Sequence, residues 1–323
     1  MNDLGVYRDA FKDFKPWRGC VPEGFVVNYW GILTNKSFLF DLDQQEVEEA
    51  RTNPRPPSLG DGMNGEVWFE AINWLAAAQD ARRRYIMMTL GANYGAQAVG
   101  AYRMLQLVNP MPCTLVAVEA EPGNFAWIFD HMRDNGIDPA AHWLVPMAVS
   151  DSNQPVLFPV GAPGTGSNNC VGTNAQESRK IYADLIIRDG DPDVALRNLF
   201  ISNSTGLTQP VHPGLTEMTE VKFVSAITLT DLLGPFDIVD FLEADIQQSE
   251  IIVFPPCIRL LRKKVRRIHI GTHSKAVHRS LHDLFAENRW NIVFSFEPNA
   301  RHSSALGDFT LNDGVLTVKN PDL

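Results

Sequence analysis

Cysteine is scarce in this chain: Cys20, Cys113, Cys170 and Cys257 are spread over 323 residues with no CxxC pair. That excludes a disulfide framework or a zinc-binding cysteine motif, and it suits a reducing, cytoplasmic compartment. Long apolar runs are also missing. None reaches the ~20 residues that cross a bilayer, so no membrane span is expected. The N-terminus, MNDLGVYRDAFKDFKPW, carries acids and has no apolar core, unlike a secretory signal. Positive charge is in deficit: 28 Lys and Arg against 38 Asp and Glu leave a net charge of −10. A general nucleic-acid partner is therefore not expected, because phosphate neutralisation needs a basic surface. No internal repeat is found. At 45% hydrophobic and 20% charged residues the chain can fold around a core, and its length suits one large domain or two small ones.

Residues 1–65 read as an N-terminal extension packed on the core. Asn53-Pro54-Arg55-Pro56-Pro57 cannot lie inside a helix. A helix is predicted over 66–82, with Val67, Trp68, Ile72 and Leu75 on one face. Short apolar runs then alternate with helical spacing. Residues 85–90 form a strand candidate and 96–107 a helix. Residues 115–118 form the next strand, and a helix from Pro122 stops at Gly136. Such alternation indicates α/β architecture, with a parallel sheet covered on both faces. An insertion over about 152–215 interrupts it with breaker-rich loops at 161–169 and 202–206. Strands at 238–242 and 265–270 resume the pattern, and Ser274 can cap the following helix. The C-terminus reads as antiparallel: a strand at 292–296, then a hairpin of 309–311 and 315–318 joined by Asn312-Asp313-Gly314.

Gly91-Ala92-Asn93-Tyr94-Gly95 stands between a strand and a helix, where backbone N–H groups face a ligand. Asn93 takes a position often held by glycine, and Asn tolerates left-handed backbone. The second strand ends at Glu119, whose carboxylate can accept both ribose hydroxyls of a nucleotide. Glu121 reads instead as a helix N-terminal charge. The turn lacks the third glycine of GxGxxG, since Ala98 is there. That tilts the expected ligand from NAD toward S-adenosyl-L-methionine.

These residues carry a resemblance. In order, Leu90–Gly95, Val118-Glu119-Ala120-Glu121-Pro122, Ala148-Val149-Ser150-Asp151, Asp240–Glu250 and Ile268–His273 resemble the motifs of FkbM-type methyltransferases. This is a branch of the class I, S-adenosyl-L-methionine-dependent fold, and the likeness covers about 85–300. It implies a Rossmann-like, mostly parallel seven-stranded sheet with helices on both faces and an antiparallel C-terminal strand, over 66–323. It implies that Gly91, Ala92, Asn93, Tyr94, Gly95, Glu119, Ala120, Ser150 and Asp151 bind the cofactor, S-adenosyl-L-methionine. It also implies methyl transfer, expected to fall on a hydroxyl of a small-molecule acceptor. Thr89 departs from the pattern where an acid is usual, Glu243 where a lysine is usual, and Gln248 where a glycine is usual.

For the chemistry, Asp245, His273 and Glu250 are the candidate catalytic residues. Deprotonating a hydroxyl needs a base within hydrogen-bond reach, and His titrates near neutrality. His269 alternates with Ile268 and Ile270 and suits core packing as well as catalysis. Asp245, Glu243, Glu250 and His273 also offer donors to a divalent ion such as magnesium or calcium. Their spacing is not diagnostic, and a metal is not the expected cofactor. The basic run Arg259–Arg267 reads as the solvated face of a helix entering a strand. A nucleotide-dependent oxidoreductase and a non-catalytic adenosyl-ligand-binding protein stay open as alternatives, as does a homo-oligomer.

Overall fold

A computed structural model describes residues 4–39, 55–161, 163, 170, 174–191 and 220–323. Strands β1 (Phe25–Val27) and β2 (Leu33–Asn35) pair antiparallel in the N-terminal segment. Then come α1 (Met63–Asp80), β3 (Tyr85–Leu90), α2 (Ala96–Val108), β4 (Cys113–Val118), α3 (Pro122–Asp134) and β5 (Trp143–Val145). Strands β6 (Ala148–Ser150) and β7 (Val156–Val160) precede α4 (Ala175–Asp189). After β8 (Glu220–Val224) and β9 (Ala226–Thr228) come α5 (Leu229–Leu233), β10 (Val239–Ala244), α6 (Glu250–Lys264), β11 (Val265–Thr272) and α7 (Lys275–Glu287). The chain closes with β12 (Asn291–Phe296), β13 (Ala300–Ser304), β14 (Gly307–Leu311) and β15 (Gly314–Lys319).

Strands β3 and β10 are buried at every position, which is why they read as unbroken apolar runs rather than alternating ones. They sit mid-sheet in the order β12-β15-β11-β10-β3-β4-β5. Strands β11, β10, β3, β4 and β5 run parallel, and β15 is antiparallel to both of its neighbours, β11 and β12. This is the α/β, seven-stranded, mostly parallel sheet with an antiparallel C-terminal strand. One apolar cluster joins α1 and α2 with Tyr29 and Trp30 of the N-terminal segment. The other face carries α5, α6 and α7.

Caps mark the ends as the sequence implies. Ser274 accepts from the Val277 N–H, and Gly136 takes a left-handed φ of 71° just past α3. Three expectations differ. Val67 is 40% exposed while Trp68, Ile72 and Leu75 are buried, so the inner stripe of α1 is narrower than predicted. The Asn312–Gly314 turn does not join a hairpin: β14 pairs with β13, and β15 enters the main sheet. The reason is burial, since β15 is covered on both faces and can be satisfied only between two strands. Residues 148–150, which the resemblance places at the end of the third strand, lie outside the seven-stranded sheet. That strand is β5, and β6 pairs with β9 beside it. β7, inside the insertion, pairs antiparallel with β8, which follows it. The loop at 161–169 is described only at Gly161 and Pro163, and residues 201–215 lie outside the described residues, as do Asn53 and Pro54.

Candidate functional site

The glycine turn is built by close approach. Gly91 has φ 77°, and a Cβ there would overlap the Asp245 carbonyl of the neighbouring strand end. Its N–H and that of Ala92 both donate to the Val118 carbonyl, at 3.0 and 2.9 Å. Asn93 adopts φ 48°, the left-handed conformation expected of it. Gly95, at φ 88°, opens α2. This path aims the Asn93 N–H at Glu119 Oε2, 2.8 Å away, while Glu119 Oε1 accepts from the Glu121 N–H at 2.7 Å. Glu119 is only 6% exposed. Burial pushes its carboxyl up to about 7, against the opposing pull of those two N–H groups. Glu121 accepts from the Asn124 and Gly161 N–H groups, at 2.6 and 3.0 Å, so it is the N-cap of α3.

Gly91, Asn93, Glu119 and Ala120 line a cleft of about 680 Å³, counting its open mouth, with Asp245 and Gln247 on the opposite wall. Of the other expected cofactor residues, Ala92 and Gly95 shape the turn without lining the cleft. Tyr94 stacks on Phe38 with ring centroids 5.5 Å apart. Ser150 and Asp151 also lie outside the lining. Because the third strand ends at Val145, the residues that face the cleft there are Met147, Ala148 and Val149.

The candidate catalytic residues do come together. His273 Nε2 lies 3.2 Å from Asp245 Oδ1 and 3.7 Å from Asp313 Oδ2, and the Gln247 amide is 2.7 Å from the same nitrogen. Burial alone would lower this imidazole. The hydrogen bond and charge of Asp245, with Asp313 and Glu250 behind it, raise it to about 9. The carboxylates around it thus favour its imidazolium form over the near-neutral base the sequence suggested. Glu250, at the start of α6, is fully buried and accepts from the Ile246 N–H at 2.8 Å, which fixes the loop after β10. Burial raises its carboxyl to about 7.

Two departures from the family pattern prove to be one feature. Thr89 and Glu243 face each other in register on β3 and β10, and the Thr89 hydroxyl donates to Glu243 Oε2 at 2.5 Å. Burial, then the charge of Asp245, holds the Glu243 carboxyl well above its usual range. The third departure, Gln248, sits at φ 76°, the left-handed region that favours the glycine it replaces.

His269 belongs to the core. Its Nδ1 meets Thr317 Oγ1 at 2.8 Å and Asn73 Nδ2 at 3.1 Å, and burial lowers it to about 4. The basic run is solvated only in part: Arg259 and Lys263 are exposed as expected, but the rest are engaged. Lys264 donates to the Leu233, Gly234 and Phe236 carbonyls, Arg262 pairs with Asp322 at 2.7 Å, and Arg267 is buried against Asn73. Sequence reading missed Glu66, Glu70 and Asp313. Glu66 accepts from the Asn312 and Asp313 N–H groups, at 2.9 and 3.0 Å. Burial, then the charge of Glu66, raises Glu70 to about 7. The available signal was the helical spacing of Glu66, Glu70 and Asn73, a polar stripe on a helix otherwise read for its apolar face.

No family model and no curated protein matches the chain. Among solved structures it is similar to the METTL16 MTase domain, at 10% identity and TM-score 0.41 over 97% of this chain and 95% of that one. It is similar to precorrin-6y C5,15-methyltransferase from Geobacter metallireducens GS-15, at 7% and 0.39 over 77% and 86%. It is also similar to methyltransferase FkbM from Methylobacillus flagellatus KT, at 11% and 0.37 over 74% and 45%. At such identities and scores these likenesses decide nothing about chemistry.

Proposed function

We propose that the chain transfers a methyl group from S-adenosyl-L-methionine to a hydroxyl of a small molecule of the sugar or natural-product type. The observation that carries this reading is the Glu119 carboxylate, pinned by the Asn93 and Glu121 N–H groups beside the glycine turn. Strand β3 has β4 on one side and β10 on the other, so the cleft lies where the strand order reverses, the usual ligand position in an open α/β sheet. A dinucleotide fold repeats its nucleotide-binding half across that point. Here the far side carries Asp245, Gln247 and His273 instead of a second glycine turn, and an antiparallel β15 interrupts the sheet. Both features disfavour the oxidoreductase.

The residues present fit an adenosyl ligand. Each Glu119 oxygen accepts one backbone N–H and keeps a lone pair for a ribose hydroxyl. Gly91 lets the backbone come close, and the buried Asn93 Oδ1 has no partner among the described residues, so a ligand donor would satisfy it. When bound, S-adenosyl-L-methionine supplies an electrophilic methyl on a sulfonium that leaves as a neutral thioether. The chain's own task is to align the acceptor and take its proton. Asp245 faces the cleft and is the proton acceptor in this reading. The His273 imidazolium holds the Asp245 carboxylate in place, and Glu250 anchors the loop between them.

A labelled-methyl transfer assay against a panel of hydroxylated acceptors tests this. The wild type transfers label, and Asp245→Asn slows turnover by roughly a hundredfold or more while adenosyl affinity stays intact. Full activity in that variant removes Asp245 from the mechanism. Absence of transfer to every acceptor contradicts the reading.

A further inference from the structure

Proton transfer to Asp245 leaves two buried features of its surroundings unexplained. Glu250 is fully buried, and its Oε1 is committed to the Ile246 N–H, yet its Oε2 is buried with no partner among the described residues. His273 Nδ1 is likewise buried and without a partner among the described residues. A buried carboxylate oxygen without a donor is costly to keep, and a cation satisfies it. Asp245, Glu250 and His273 each place one donor atom within 4.8 Å of the other two. Three elements bring them there: the loop after β10, the first turn of α6 and the loop after β11. Since β10 and β11 are paired with Ala244 opposite Ile270, Asp245 and His273 leave the same sheet edge side by side.

We propose that Asp245, Glu250 and His273 bind a divalent metal ion. Donors this far apart bracket one ion whose bonds run to roughly 2.1–2.4 Å, after closure by a few tenths of an ångström. Two carboxylates balance its charge, and the ion displaces the His273 proton, so the imidazole that holds Asp245 in the metal-free chain becomes a ligand. One imidazole beside two carboxylates suits manganese, iron or zinc better than the all-oxygen shells of magnesium and calcium. Glu243 is not in this group, and its Oε2 accepts from Thr89. Three protein donors leave positions open on the ion, and Asp245 is shared with the cleft wall, so a hydroxyl entering the cleft can reach the metal. An ion there would make that hydroxyl more acidic.

The site shares Asp245 with the adenosyl reading, so its test uses metal alone. Manganese(II) is titrated into the chelator-stripped full chain without any adenosyl ligand, and binding is followed by loss of the free-ion electron paramagnetic resonance signal. The expected result is one ion per chain. Affinity falls at least about tenfold in Asp245→Asn and in His273→Gln, and stays within about threefold in Glu66→Gln, a nearby acid outside the triad. Asp245 is 44% exposed, so its variant keeps the fold, and thermal melts verify this. No saturable binding overturns the site, and so does an equal loss in Glu66→Gln, which would reveal only a diffuse acidic field. A chain that binds manganese but no adenosyl ligand keeps the metal site and loses the methyl-transfer reading.

Discussion

Gln247 and Gln248 hold left-handed backbone, at φ 52° and 76°, in the loop that carries Asp245. A residue with a Cβ is disfavoured there by about 1–2 kcal/mol. Gln248→Gly is therefore expected to stabilise the fold by about 1 kcal/mol, read as a higher denaturant midpoint. A lower midpoint would mean that the glutamine side chain contributes more than its backbone costs. Thr89 and Glu243 pose the opposite case. Thr89→Val leaves a buried carboxyl without its hydrogen-bond partner and should cost about 1–3 kcal/mol in urea unfolding. An unchanged stability would show that the Glu243 carboxyl finds another partner. Gln248, Thr89 and Glu243 were each legible in the sequence as a departure from a family pattern. That Thr89 and Glu243 answer each other was not, because the two lie 154 positions apart and only strand register brings them together.

Helix α6 shows what a charge run does when it meets tertiary structure. Its last turn holds Arg262, Lys263 and Lys264, where cations favour the helix C-terminus. Lys264 also gathers three carbonyls, those of Leu233, Gly234 and Phe236, at 2.6–3.0 Å, which ties the end of α5 to the end of α6. Lys264→Met is expected to cost about 1–3 kcal/mol in chemical denaturation, more than an exposed lysine would. A loss within about 0.5 kcal/mol would return the run to the solvated face read from sequence. Helices and buried strands were legible because each has its own period: β3 and β10 as continuous apolar runs, α3 from its proline start and glycine stop. Pairing was less so. The residues of β14 and β15 look like a hairpin locally, but β15 pairs with strands formed by residues 265–272 and 291–296, and no turn motif encodes that choice.

Across the whole molecule, buried acids dominate the site, and their protonation sets how stability follows pH. Burial raises Glu70, Glu119 and Glu250 from 4.5 to about 7, so the folded chain retains protons that the unfolded chain releases, and stability falls as pH climbs through that range. Burial lowers His131, His269 and His278 from 6.5 to about 4, which makes stability rise with pH over that lower range. The two sets oppose each other below 6.5. Above it the three imidazoles are spent, and His273, raised from 6.5 to about 9, joins the carboxyls in losing stability as pH rises. The thermal midpoint is thus expected to fall from pH 6.5 to 9, with a shallower fall in His273→Gln. A rising midpoint would contradict these protonation states. The location of the site was legible from the glycine turn and Glu119, which adjoin two successive strand ends. The acids Glu66, Glu70 and Asp313 were not, because they reach His273 and Asp245 from α1 and from the turn before β15. The central claim is that Glu119 and its turn hold an adenosyl ligand. Calorimetric titration of S-adenosylhomocysteine into the wild type and Glu119→Ala tests it most directly. Saturable binding that weakens by about 1–3 kcal/mol in the variant is the predicted result; no binding by the wild type, or tight binding of NAD in its place, would contradict it.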